Sequence, residues 1–230
     1  MFEFTSLYQL VTGPLALLSL VIFFAGLVVR VVLYAKDLDW KIDRVTYGVN
    51  TMYGIRGALR SIYMWLLPFG TIGWRKNPLI TFMFFVFHIS LILVPVFLQA
   101  HNIILEQKLG FSLWTISDRT ADILTIAFMV AAVFLIIRRI ALPEVRIMTT
   151  AYDYVVLAIT VIPFVTGFLA AHNIGDYQFW VITHIIAGEI MLVAIPFTKL
   201  SHFVLFFCTR AQLGVDYGIK RGGMKSDFAW

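Results

Sequence analysis

Residues 178–208 read QFWVITHIIAGEIMLVAIPFTKLSHFVLFFC, and this stretch decides the fold. A helix crossing the hydrocarbon core of a bilayer needs roughly 20 mostly apolar residues. The stretch exceeds that length and carries only two charged side chains, Glu189 and Lys199. Four more segments meet the same criterion, at about 10–35, 78–102, 121–140 and 152–172. Composition agrees. The chain is 60% hydrophobic and 13% charged, whereas a soluble domain carries about 25% charged residues. Too little polar surface is available to cover a water-soluble globule, so the sequence predicts an all-α integral membrane protein with five transmembrane helices. The first span reads as a retained helix. It is too long for the apolar region of a signal peptide, it is preceded by Glu3 instead of Lys or Arg, and no small-residue cleavage site follows it.

Lys and Arg set the direction. Of 18 basic residues, all but Lys108 and Arg119 fall on one side of the five spans. They lie in the segment from Arg30 to Lys76, at Arg138, Arg139 and Arg146, and from Lys199 to Lys225. The positive-inside rule then places the N-terminus outside and the C-terminus in the cytoplasm, as expected for a bacterial inner-membrane protein. This asymmetry also accounts for the net charge of +5. The long inner loop, 36–77, is rich in aromatic and apolar residues between Tyr47 and Phe69. It predicts an interfacial helix over about 47–69, with Tyr63 and Trp65 at headgroup level. No low-complexity tract or second soluble domain interrupts residues 1–230, which read as one membrane domain ending in a cytoplasmic tail, 209–230. Lys220, Arg221 and Lys225 in that tail suit docking to a cytoplasmic subunit.

The chemistry lies with five histidines, His88, His101, His172, His184 and His202, all within or at the ends of spans. Intramembrane imidazoles are costly, and they normally pair, face the bundle interior or bind something. A lone cysteine, Cys208, excludes an intramolecular disulfide, an iron–sulfur cluster held by the chain's own thiolates and a cysteine-rich zinc site.

His184 and His202 are 18 residues apart, which is five whole turns of one helix and about 27 Å along it. One such helix supplies an axial ligand to each of two haems stacked across the bilayer, and bis-histidine ligation gives a low-spin, electron-transferring haem. The second span offers His88 and His101. Their directions pair His88 with His202 on the inner side and His101 with His184 on the outer side. The metal ligands expected are therefore His88, His202, His101 and His184, in a four-helix core of helices two to five. Thirteen residues turn a straight helix by about 3.6 turns, which sets His88 and His101 about 140° apart. Pro95 lies between them and permits a kink or local unwinding. His172 competes for the outer position. Its surroundings, Phe168-Leu-Ala-Ala-His-Asn-Ile174, nearly repeat Phe97-Leu-Gln-Ala-His-Asn-Ile103. Either histidine fits the outer haem, leaving the other for quinone or a propionate, and His101 is preferred.

The run HIIAGEIMLVAIPFTKLSH, His184 to His202, resembles the last helix of the respiratory nitrate reductase gamma subunit. The likeness covers the histidine spacing, Gly188, and the Pro-Phe, hydroxyl residue, base and Leu before the second histidine. The long inner loop and Arg75-Lys-Asn-Pro78 leading to Phe87-His-Ile89 are closer to the cytochrome b subunits of the Tmc, Hme and Dsr-type transmembrane complexes of sulfate-reducing bacteria. The resemblance covers roughly residues 5–210. Two features depart from the nitrate reductase pattern: the longer histidine spacing on the second helix and the extra His172. The resemblance implies a di-haem b subunit of a quinone-linked oxidoreductase complex. Electrons would move between menaquinone, a periplasmic multihaem cytochrome c and a cytoplasmic Fe–S subunit of the heterodisulfide-reductase-like type.

Other residues support cofactor binding. Gly188, one turn after His184, leaves room beside a porphyrin face, or simply permits close helix packing. Lys199 is placed to pair with a haem propionate or to snorkel to headgroups. Glu189, an acid deep within a span, reads as a proton acceptor for quinol or a hydrogen-bond partner for a ligand imidazole. Asn102, Asn173 and Asp176 sit at outer helix ends, where they line a quinone pocket or cap helices. Two rival readings are a stand-alone cytochrome b561-like reductase, disfavoured by the 36–77 loop, and a transporter or channel subunit relaying protons through its histidines.

Overall fold

The computed structural model describes residues 2–38 and 51–217. Lys41, Arg44, the 47–50 start of the expected interfacial helix, and the basic residues Lys220, Arg221 and Lys225 lie outside them. The described elements run α1 (Phe2–Leu10), a π-helical stretch (Val11–Leu15), α2 (Ala16–Asp37), α3 (Thr51–Leu66), α4 (Ile72–Lys76), α5 (Pro78–Phe97) and α6 (Gln99–Leu109). They continue with α7 (Asp118–Ala141), α8 (Pro143–Arg146), α9 (Ala151–Ala171), α10 (Tyr177–Phe197), a 3-10 turn (Lys199–Ser201) and α11 (His202–Tyr217). Five helices are long and apolar enough to cross a membrane: Phe4–Asp37, Pro78–Phe97, Asp118–Ala141, Ala151–Ala171 and Tyr177–Phe197. Among the described residues the expectation of an all-helical chain with five long apolar helices holds.

Two of the expected spans are shorter than the apolar runs that suggested them. The second does not continue to 102, because Leu98 turns extended (φ −62°, ψ 132°) and α6 starts afresh at Gln99. The helix passes through Pro95, which removes one N–H from the ladder, and ends two residues later at Phe97. The fifth does not continue to 208. Pro196 weakens its last turn, Thr198 is extended (φ −118°, ψ −174°), and its hydroxyl caps the next turn by accepting from the Leu200 N–H. His184 and His202 therefore do not share one helix face; they stand on α10 and at the start of α11. Residues 209–217, read as tail, are helical.

The described residues form two compact units. One comprises the chain up to Ala16 with Phe82–Met191, and the other comprises Leu17–Thr81 with the chain from Leu192 on. In the first unit, aromatic rings join three spans. Phe128 of α7 is fully buried between Phe87 of α5 (centroids 4.6 Å apart) and Phe164 of α9 (3.9 Å). Ala131 and Ala132 are fully buried beside them, and small residues are what let membrane helices approach closely. Polar caps fix the ends. Ser117 caps α7 by accepting from Thr120, and Thr150 and Asp153 form a reciprocal capping box on α9.

In the second unit α3 packs on α11 through a face of small residues, Gly54, Gly57 and Ser61. A Cβ on Gly214 would strike the Gly57 carbonyl, so this crossing requires glycine. Arg210 of α11 lies over the Trp65 ring at 4.6 Å, and Tyr34 hydrogen-bonds Gln212. Gly26 of α2 abuts Pro196, and Arg30 donates to the Pro196 carbonyl at 2.6 Å, satisfying a group left open where α10 ends. The expected 47–69 helix corresponds to α3.

Candidate functional site

The helix break at Leu98 shapes the site. It takes the carbonyls of Pro95, Val96 and Phe97 out of the regular ladder, and each must find another donor. His101 Nδ1 donates to Pro95 O (2.9 Å), Asn102 Nδ2 to Val96 O (2.8 Å), and the Ile116 N–H to Phe97 O (2.9 Å). Asn102 also donates to Leu98 O and accepts from the Leu113 N–H at 2.8 Å, so its amide is occupied by the main chain. The break that ends the second span is thus what orients His101.

His184 is fixed in a similar way from a different helix. Its Nδ1 donates to Pro163 O of α9 at 2.9 Å. Gly167, one turn further along α9, makes room for the ring: a Cβ there would lie 2.9 Å from both Cε1 and Nδ1 of His184. The His101 and His184 rings are 5.9 Å apart between centroids and only 10° from parallel. A carbonyl can only accept, so in both rings Nδ1 carries a proton and Nε2 is the nitrogen left to bind.

Around the pair, Gly188 is open: a Cβ there would meet nothing within 4 Å. Next to it, Oε1 of Glu189 is buried without a hydrogen-bond partner. Among the described residues no group of three or more His, Cys, Asp or Glu side chains converges on a metal position. A metal held wholly by side chains asks for three or four ligands. Two histidines suffice only for a group that brings further donors of its own.

The remaining predicted residues are placed as follows. His88 donates from Nδ1 to Phe84 O (2.8 Å) and packs on the Phe84 ring. His202, the exposed first residue of α11, does the same to Lys199 O (2.8 Å), and Lys199 is exposed. His88 belongs to the first unit, and His202 and Lys199 to the second. His172 stands apart from the His101–His184 pair: its Nε2 meets Asp122 Oδ2 at 3.3 Å. Asn173 is exposed in a left-handed conformation (φ 52°) at the end of α9, and Asp176 caps α10 through the N–H of Gln178.

Fold and site together define an all-α, multi-pass membrane protein with a paired-imidazole site inside one helical unit. The chain is 52% identical over 217 residues to a protein of Nitratidesulfovibrio vulgaris (strain Hildenborough) whose name, "Protein", states no activity; the match covers 94% of this chain and 96% of that one. The chain belongs to the same family as that protein. No family model matches it, and no solved structure matches it.

Sequence reasoning passed over three contributors. Gly167 was one of several glycines in apolar sequence, and only its proximity to His184 marks it. Pro163 precedes the second copy of the repeated motif, and the sequence does not show that its carbonyl meets His184. Asp122 lies at the start of the third span, where nothing in the sequence marks it.

Proposed function

We propose that this chain is a membrane cytochrome b, the electron-transfer subunit of a quinone-linked respiratory complex. The observation that carries the reading is the His101–His184 pair: near-parallel rings 5.9 Å apart, each with Nδ1 committed to a main-chain carbonyl. These two residues would hold one haem b, whose bound iron supplies reversible one-electron transfer. The Pro95 and Pro163 carbonyls fix tautomer and ring orientation and raise the basicity of Nε2, as such partners do for metal-bound histidines. Gly167 keeps the His184 ring in place, and Gly188 leaves space one turn away on the same helix. The unpartnered carboxyl of Glu189 is placed to take a proton inside the span. A second haem, expected on His88 and His202, rests on the resemblance alone.

The resemblance to cytochrome b subunits supports the rest of the proposal. Electrons pass between membrane menaquinone, a periplasmic multihaem cytochrome c and a cytoplasmic Fe–S subunit. The Lys and Arg asymmetry supports a bacterial inner-membrane location with the N-terminus in the periplasm, and α3 with its Arg56 and Arg60 supports a helix at the cytoplasmic interface. The test is a reduced-minus-oxidised optical spectrum of the purified chain with pyridine haemochrome quantification. One or two haems b per chain are expected. A folded preparation without haem sinks the proposal and leaves the histidines, with Glu189, as parts of a proton pathway.

A further inference from the structure

In the second unit, α3 sets positive charge into an apolar surface. Gly54, Gly57 and Ser61 turn one face of the helix to α11. Away from that face, Ile55, Leu59, Tyr63 and Leu66 are 49–62% exposed. Arg56 and Arg60 stand beside this stripe, one turn and about 6 Å apart along the helix. Together with Leu59, Tyr63 and Met64 they line an open groove of about 400 Å³.

The lining specifies what fits. Like charges one turn apart repel, and an oxyanion between them replaces that repulsion with charge-assisted hydrogen bonds, which guanidinium groups make bidentately to phosphate. Leu59, Tyr63 and Met64 ask for hydrocarbon beside the anion. An inorganic anion would leave these three walls in water, whereas an amphiphile with a charged head covers both kinds of surface.

The setting of α3 points the same way. In the chain it lies between the apolar helices Phe4–Asp37 and Pro78–Phe97, so the polypeptide enters the bilayer on either side of it. Trp65 meets Trp74 edge to face with centroids 5.6 Å apart, and Arg210 of α11 lies over the Trp65 ring. Tryptophan, tyrosine and basic residues in close company are the composition of the headgroup layer. Between Asp43 and Glu106 the sequence has no acid against the five bases Arg44, Arg56, Arg60, Arg75 and Lys76, and α11 adds Arg210 and Asp216.

We infer that Arg56 and Arg60 hold the phosphate of an anionic phospholipid, whose acyl chains run along Leu59, Tyr63 and Met64. The inference rests on the membrane character of the fold and requires no haem.

The full-length chain in detergent tests it, by native mass spectrometry with titrated dioleoylphosphatidylglycerol and, separately, dioleoylphosphatidylcholine. Circular dichroism checks that each variant keeps its helix content. A basic residue near an anionic lipid surface contributes about fivefold in affinity, so the parent should prefer phosphatidylglycerol by about tenfold or more. Arg56 is exposed and outside the face that meets α11. Arg56→Gln should therefore reduce the preference about fivefold without disturbing the packing, and Arg56→Gln/Arg60→Gln should abolish it. Arg56→Lys, which keeps the charge, should retain most of it. Arg146→Gln, at another exposed base, should match the parent. Inorganic phosphate at millimolar concentration should leave the lipid bound. A parent without the preference overturns the inference, as does an Arg56→Gln chain that binds like the parent. Equal losses in Arg56→Lys and Arg56→Gln would make the arginine structural and overturn it too. An equal loss in Arg146→Gln would reduce the effect to diffuse surface charge, and displacement by inorganic phosphate would make this a free-anion site; either result overturns the lipid assignment.

Discussion

Gly167→Ala places one methyl group against His184. The new Cβ would lie 2.9 Å from Cε1 and Nδ1 and 3.6 Å from Nε2. Non-bonded carbon contacts settle at about 3.5–4.0 Å, so the ring has to retreat by roughly half an ångström or more. That ring is also held by the Nδ1–H bond to Pro163 O, and the two constraints conflict. Losing the bond costs about 0.5–1.5 kcal/mol. Disturbing such an outer partner lowers metal affinity typically about 10–100-fold, equivalent to about 1.4–2.8 kcal/mol. Helix propensity acts in the opposite direction: glycine to alanine in a helix interior gains about 1 kcal/mol. The sign of the net effect therefore discriminates. Haem titrated into haem-depleted protein should bind the variant about tenfold or more weakly, and the haem-free variant should gain no thermal stability. Gly188→Ala is the internal control, because its Cβ meets nothing, and haem-free it should gain close to the full propensity difference. A Gly167→Ala protein that binds haem like the parent and melts higher would refute the reasoning.

Asn102→Ala leaves the Leu113 N–H and the carbonyls of Val96 and Leu98 without their partner; thermal unfolding in detergent should show a loss of about 2–4 kcal/mol, with weaker haem binding as the Leu98 break loosens. Phe128→Ala removes the central ring of the Phe87–Phe128–Phe164 stack and should cost about 3–5 kcal/mol by the same assay, the range for a buried phenylalanine. Gly214→Val drives a side chain into the Gly57 carbonyl; limited proteolysis should then cut within α3 on the order of tenfold faster, since local opening controls cleavage, while the His101–His184 unit keeps its haem.

Length and hydropathy made the five spans legible, because a bilayer imposes a minimum apolar run that little else in the sequence imitates. The helix ends were harder. Apolar residues recur past the points where the backbone breaks, at Ala100, Ile103 and Ile104 and from Phe203 to Phe207, and hydropathy does not register the extended conformations of Leu98 and Thr198. Both breaks lie two or three residues beyond a proline, Pro95 and Pro196, which was the available signal. The choice between His101 and His172 was open in the sequence because the two copies of the motif are alike. The structure brings His101 to His184 and His172 to Asp122, a difference set by which neighbouring helix each faces. Gly167 and the Pro163 carbonyl act across helices, so no spacing along the chain reveals them.

Haem content of His101→Ala, His184→Ala and His172→Ala, each against the parent, addresses the central claim most directly. Pyridine haemochrome quantification should show one haem fewer in the first two variants and parental content in His172→Ala. A folded parent without haem, or a His172 variant that loses haem while the His101 variant keeps it, would contradict the assignment.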